Sequence, residues 1–310
     1  MAPSLRHRTL ATLVPRLRKA TEISDVDAER RRVEAWHAGL DRSLPRSAVP
    51  GFDREFTVVE EEVGGFPSYV IQVRDSSPTR TVLYCHGGGF MAPIDAFHVR
   101  YVARIARELD ARIVLPDYPL APEHTWRDSH DALVELADRH GSQTEDFLIA
   151  GDSAGGNIAL AVALSLRDRG LRTPDRMVLL SPWVDVSTSL RAETEQAAAR
   201  DPWLKLTKLL AYADWWSGSP EDLTRQEVSP ALADLHDLPP TLMYCGTADL
   251  LVPGCRLLAR RSREFAWDLT YVEEPGLIHV YPLLPTIPEA KKAWGQLVEF
   301  VTGHHRVNAT

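Results

Sequence analysis

The chain has 310 residues, 44% of them hydrophobic and 25% charged, with a formal net charge of −8. That composition belongs to a globular protein of one large or two small domains, and the acidic balance excludes a nucleic-acid partner, which needs a basic face. No stretch approaches the ~18 uninterrupted apolar residues of a membrane span.

Residues 1–20 carry scattered basic side chains, Arg6, Arg8, Arg16, Arg18 and Lys19. The apolar stretch 10–14 is interrupted by Thr12 and closed by Pro15, so the core of a secretory leader is missing and the segment reads as a cap helix. Residues 22–40 are charged and helix-like, with Ile23, Val26, Val33, Trp36 and Leu40 inward, until Pro45, Pro50 and Gly51 break the pattern. Residues 54–63 and 66–74 alternate apolar and polar around Gly64-Gly65, a hairpin signal. From Thr81 the pattern becomes strand, helix, strand, helix. Strands fall at 82–85, 112–115, 147–150, 177–180, 241–245 and 269–272, with helical stretches such as 97–109 and 129–140 between most of them. Such alternation predicts an α/β fold, a mostly parallel sheet covered by helices on both faces. Between Ser181 and Leu238 there is no strand pattern, only helix-like 190–200 and 204–216, which carry or flank Trp203, Trp215 and Trp216. So long an excursion reads as a lid or subdomain.

Two stretches carry chemistry. Gly151-Asp152-Ser153-Ala154-Gly155-Gly156 lies between the apolar strand 147–150 and the helix that starts at Asn157. Strand, Gly-x-Ser-x-Gly turn and helix are the context of a nucleophile elbow. Neighbours without side chains let strand and helix approach while the hydroxyl stays accessible. The second stretch is His86-Gly87-Gly88-Gly89-Phe90, directly after strand 82–85. Three glycines there make a loop whose N–H groups point at something; in a serine hydrolase that is an oxyanion, with Gly87, Gly88, Gly89 and Ala154 as donors.

His-Gly-Gly-Gly-Phe, then Asp117-Tyr118-Pro119-Leu120-Ala121-Pro122-Glu123-His124, then Gly-Asp-Ser-Ala-Gly-Gly-Asn resembles, in order and spacing, the hormone-sensitive-lipase family of carboxylesterases. Ser181-Pro182-Trp183-Val184-Asp185 and Leu238-Pro239-Pro240-Thr241 also fall at family-like places, and the similarity runs from about Phe56 onward. The resemblance implies an α/β-hydrolase fold with a helical cap and hydrolysis of esters through an acyl-enzyme. It implies a cap formed by residues 1–50 and 187–225 over a core of 51–186 and 226–310. It also implies that two copies pair through the last strand and helix, near 269–272 and 290–302.

A serine hydroxyl needs a base oriented by a third group, and in this fold the order is serine, acid, histidine. Of His236, His279, His304 and His305, only His279 follows a late strand, across the turn Glu273-Glu274-Pro275-Gly276. Asp249, after strand 241–245, stands where the resemblance implies the catalytic aspartate; Asp185 and Asp237 are rivals. The sequence departs from the family just beyond, where Val252-Pro253-Gly254 replaces a stretch that carries a second acidic residue in many relatives. Asp152, Glu123 and His86 read as structural, Glu123 as a buried anchor of its loop.

The expected substrate is a small, short-chain ester in a pocket walled by Phe90, Trp203, Trp215 and Trp216. The same residues would serve a lactone, an amide or an acetylated metabolite, and a ligand receptor would require loss of the base. Neither metal-ligand spacing nor a phosphate-loop lysine is present, so no metal and no cofactor are expected. Three cysteines, Cys85, Cys245 and Cys255, suit a reducing cytoplasm, with a Cys245–Cys255 bridge left open.

Overall fold

A computed structural model describes residues 2–17, 21–187 and 189–303; Arg18, Lys19, His304 and His305 lie outside them. The strands are β1 (Phe56–Val63), β2 (Phe66–Val73), β3 (Arg80–Cys85), β4 (Ala111–Pro116), β5 (Asp146–Asp152), β6 (Arg176–Leu180), β7 (Thr241–Ala248) and β8 (Leu269–Ile278). The helices of the first half are α1 (Leu5–Leu17), α2 (Val26–His37), α3 (Phe52–Glu55), α4 (Ala96–Glu108) and α5 (His130–Gly141). Those of the second half are α6 (Ala154–Asp168), α7 (Arg191–Ala198), α8 (Leu206–Ser217), α9 (Val252–Glu264) and α10 (Pro288–Val301).

One sheet holds all eight strands in the order β1-β2-β4-β3-β5-β6-β7-β8. The β1–β2 hairpin turns at Gly64-Gly65, and β2 joins β4 antiparallel. From β4 to β8 every pairing is parallel. Parallel strands covered on both faces must be apolar throughout, and β5 is buried at every position after Asp146. Two apolar layers result. One, with α5, α6 and α9, continues into α8. The other packs α4 and α10 on the opposite face. Helix α6 is buried from Ala154 to Leu166, which explains why its sequence is apolar all round.

The last strand is longer than its sequence pattern indicated. Glu273-Glu274-Pro275-Gly276, expected as a turn, continues β8 to Ile278, with a register shift against β7 between Gly246 and Ala248. Gly246 allows this: a Cβ there would meet the Leu277 carbonyl oxygen at 2.0 Å. The three cysteines are buried and free, so the Cys245–Cys255 bridge is not formed. Among the described residues no helix is long and apolar enough to cross a membrane.

The N-terminal helices go to different places. Helix α2 locks onto α8: Glu29 Oε1 accepts from the Tyr212 hydroxyl (2.7 Å), and the Ile23 N–H donates to Thr207 Oγ1 (2.8 Å). Helix α1 is fastened to the core, with Ser4 donating to Glu289 of α10 and His7 Nε2 accepting the Ile278 N–H at the end of β8 (3.1 Å).

Candidate active site

The end of β5 and the start of α6 meet at Ser153, whose backbone is left-handed at φ 53° and ψ −122°. A non-glycine residue held in that region is strained and persists only where its surroundings over-determine it. They do so here. The Ser153 N–H donates to the Leu180 carbonyl (2.9 Å), and its carbonyl accepts from Trp183 (2.9 Å). Gly155 cannot carry a side chain, because a Cβ would sit 2.1 Å from the Cys85 carbonyl oxygen.

The loops after β7 and β8 bring Asp249 and His279 to this serine. His279 Nε2 lies 3.0 Å from Ser153 Oγ, and its Nδ1 lies 2.9 Å from Asp249 Oδ2. Exposure falls along this chain from 8% at Ser153 to 3% at His279 and 0% at Asp249. The other Asp249 oxygen accepts the Leu251 N–H at 2.9 Å. Residues on both sides of the imidazole are tied down, Ile278 by His7 and Val280 by the Ser181 hydroxyl at 3.0 Å. Burial opposes a charge on His279, yet the adjacent Asp249, with Asp201 and Asp152 beyond it, outweighs burial and raises the pKa above its ordinary value. With Asp249 accepting at Nδ1, the Nε2 lone pair faces the hydroxyl, the arrangement in which an imidazole can take a serine proton.

Asp152 is what shapes the glycine loop. Buried beneath it, Asp152 Oδ1 accepts from the Gly87 N–H (3.0 Å) and the Tyr84 hydroxyl (2.8 Å). Despite burial, the neighbouring His98, the Tyr84 hydroxyl and His86 keep its pKa below the ordinary carboxylate value. The Gly87 N–H is therefore spent, which removes Gly87 from the expected oxyanion donors. Gly88 and Gly89, at φ 122° and 63°, and Ala154, first in α6, donate to no protein group among the described residues. His86 supports the loop from below: it donates from Nδ1 to the Gly87 carbonyl (2.8 Å) and stacks on Tyr118 at 4.3 Å. Burial drives its pKa down to about 3, so it stays neutral.

A cavity of about 530 Å³ opens above Ser153. Gly88, Gly89 and His279 are at its base, Arg32 and Trp36 of α2 on one side, and Trp203, Leu209 and Tyr212 on another. Of the four aromatic residues expected as pocket walls, only Trp203 lines this cavity; its ring stands edge-on to His279, 5.6 Å between centroids. Phe90, Trp215 and Trp216 are core residues instead. Phe90 is fully buried and stacks on Trp216 at 4.5 Å, because the left-handed turn at Phe90 directs its ring away from the cavity into the packing between the glycine loop and α8. Trp215 is 8% exposed and packs on Tyr212. Trp36, read only as an inward helix position, and Tyr212 are aromatic walls that the sequence did not reveal.

The rival acids lie elsewhere. Asp185 is engaged by Ser187 (2.6 Å) and Ser189, and Asp237 is exposed. Glu123 is not buried: it pairs with His37 of α2 at 2.8 Å on the surface. One carboxylate escaped the sequence reading altogether. Asp201, between α7 and α8, is 4% exposed and donates nothing but accepts the Leu250 N–H (2.7 Å), one residue past Asp249. Among the described residues no cluster of three or more histidine, cysteine, aspartate or glutamate side chains is arranged to hold a metal.

Residues 82–283 match the model of the alpha/beta hydrolase fold family. The chain is 28% identical over 234 residues to an esterase of Acinetobacter venetianus, covering 73% of this chain and 76% of that one. It is also 28% identical over 249 residues to a putative acetyl-hydrolase of Mycobacterium tuberculosis, covering 78% and 79%. A crystal structure of an esterase from the bacterial hormone-sensitive lipase family superposes with a TM-score of 0.76 at 27% identity, over 97% of this chain and 98% of that one. A buried Ser–His–Asp chain at a strand–helix elbow and these matches agree: the chain belongs to the alpha/beta hydrolase fold family, among the hormone-sensitive-lipase-like esterases.

Proposed function

We propose that the protein is a serine carboxylesterase that hydrolyses small, short-chain acyl esters through an acyl-enzyme. The observation that carries this reading is the hydrogen-bonded chain Ser153–His279–Asp249 at the base of a roofed cavity. Ser153 Oγ attacks the ester carbonyl while His279 Nε2 takes its proton, and Asp249 holds the Nδ1–H and stabilises the imidazolium. The N–H groups of Gly88, Gly89 and Ala154 receive the developing oxyanion, aided by the N-terminal end of α6. His279 then protonates the leaving alkoxide. Water, deprotonated by the same imidazole, attacks the acyl-enzyme and releases the acid.

The roof, built from α2, the α7–α8 segment and Trp203, supports a preference for acyl chains of about two to six carbons, since a cavity of this class holds a small molecule and excludes long chains. Because relatives carry the names putative acetyl-hydrolase and acetyl-hydrolase, an acetyl ester is the first substrate to try. The test is labelling with an organophosphonate that mimics the tetrahedral intermediate. Wild type should be modified at Ser153 and lose turnover of p-nitrophenyl butyrate, and Ser153→Ala should show neither labelling nor turnover. Comparable turnover in Ser153→Ala defeats the assignment.

A further inference from the structure

A carboxylate buried beside another carboxylate calls for a reason, and Asp201 has one written in its contacts. It lies in the segment joining α7 to α8, directly before Pro202. Oδ1 accepts the N–H groups of Trp203 (2.6 Å) and Leu204 (2.9 Å), and Oδ2 accepts that of Leu250 (2.7 Å). The first pair shapes the turn that presents Trp203 edge-on to His279 and puts Trp203 and Leu204 on the cavity wall. The third bond crosses from the roof to the loop that carries Asp249. That loop is thus clamped at consecutive N–H groups: Leu250 by Asp201, and Leu251 by Asp249 itself.

An aspartate that merely shaped its own turn could sit in solvent. Asp201 is almost fully buried, and among the described residues no lysine or arginine pairs with it. An unpaired buried carboxylate is expensive. The charged groups facing it are Asp249, which repels it, and His279, which attracts it. Around His279 the charges are Asp249 from the loop after β7, Asp201 from the roof and Asp152 from the end of β5. A third carboxylate so arranged gains most when the imidazole is protonated, which is the state formed as Ser153 attacks.

We propose that Asp201 is a positioning residue for the hydrolysis: it fixes the Asp249 loop and Trp203 from the roof, and its negative charge stabilises the imidazolium of His279. The proposal rests on the reading of Ser153, His279 and Asp249 as the reacting chain. It makes closure of the roof and basicity of the active site two effects of one side chain. Burial and the nearby Asp249 push the Asp201 pKa up to about 6, so this carboxylate gains or loses its charge in the range where a histidine base begins to work.

The experiment is a titration of His279 in histidine-labelled protein by NMR, alongside kcat and KM against pH for p-nitrophenyl butyrate. Asp201→Asn and Asp201→Ser remove the charge but keep an acceptor, and Asp201→Glu keeps the charge. In the neutral variants the His279 midpoint and the acidic limb of kcat should both move down by about half a pH unit or more, the expected sign for removal of a nearby anion. Their kcat should fall about tenfold with KM changed by less than about threefold, since the lost interaction is made in the transition state. Asp201→Glu should restore the midpoint. If the neutral variants lose activity equally at every pH with the His279 midpoint unmoved, Asp201 only anchors the roof and the proposal fails. In wild type, which needs no variant to fold, the amides of Trp203, Leu204 and Leu250 should titrate together near the Asp201 midpoint; amides that are invariant across that range overturn it as well. Failure of the esterase reading would show separately, as absence of phosphonate labelling, because the NMR midpoint does not depend on turnover.

Discussion

The sharpest test of the proposed mechanism is Asp249→Asn. The substitution preserves shape, so its effect can be worked from the contacts. One Asp249 oxygen accepts the Leu251 N–H at 2.9 Å and the other accepts His279 Nδ1–H at 2.9 Å. Asparagine has one carbonyl oxygen and one NH2. Held by Leu251, the oxygen stays where it is, and the NH2 faces His279 Nδ1. Two donors cannot share that contact, so the ring must turn a lone pair to Nδ1 and carry its proton on Nε2. A protonated Nε2, 3.0 Å from Ser153 Oγ, cannot accept the serine proton. The same tautomer change in a serine protease costs ~10⁴ in kcat, equivalent to ~5 kcal/mol of barrier. A fall of that order is expected here in kcat for p-nitrophenyl butyrate near neutral pH, with the circular dichroism spectrum and Tm close to wild type. Asp185→Asn, whose parent carboxylate bonds to Ser187 and Ser189, should stay within about threefold of wild type. A kcat for Asp249→Asn within tenfold of wild type would refute the tautomer argument, and a large loss in Asp185→Asn would move the acid to the preceding strand.

Three further outcomes concern the base, the core and the cavity wall. Because the His279 pKa is raised above its ordinary value of 6.5, and only the neutral ring can act as base, kcat/KM should fall as pH drops through a midpoint above 6.5; a profile flat to pH 4 argues against a histidine base. Trp216→Ala should cost about 3–5 kcal/mol in denaturant unfolding, as for a large aromatic removed from a core, and leave the acyl-chain preference unchanged. Trp203→Ala should do the reverse, shifting the optimum toward longer chains with a smaller loss of stability. A chain-length profile altered by Trp216→Ala and not by Trp203→Ala would contradict the assignment of wall and core.

The sheet was legible because parallel strands buried on two faces must be written as continuous apolar runs, and those runs were separated by helical patterns of ordinary length. The elbow and the glycine loop were legible for a related reason: tight backbone approaches leave glycines in the sequence, and Gly155 against the Cys85 carbonyl is one. What escaped was set by side-chain direction and by long-range pairing. Phe90 follows the glycine loop directly, yet a left-handed φ sends its ring into the core, and nothing in a residue's type announces that. Gly87 was one of four expected donors, but its N–H goes to Asp152, distant in sequence. Asp201 carries no local signal; its importance is a bond to Leu250, which no local pattern encodes. Trp36 lines the cavity from α2, which the Glu29–Tyr212 bond joins to α8 across a long stretch of sequence.

That joint has an evolutionary consequence. The roof is assembled from two short segments far apart in sequence, locked together by Glu29–Tyr212 and Ile23–Thr207, while the reacting groups hang from the ends of β5, β7 and β8. Mutations at the chamber-lining positions of α2 and α8 can therefore reshape the chamber without disturbing the sheet that aims the nucleophile. Selection on substrate range and selection on foldability act on different positions of the same helices: Val33 of α2 and Trp216 of α8 pack the core, Arg32, Trp36 and Lys208 line the chamber, and at Asp201 the roof reaches down to the acid loop.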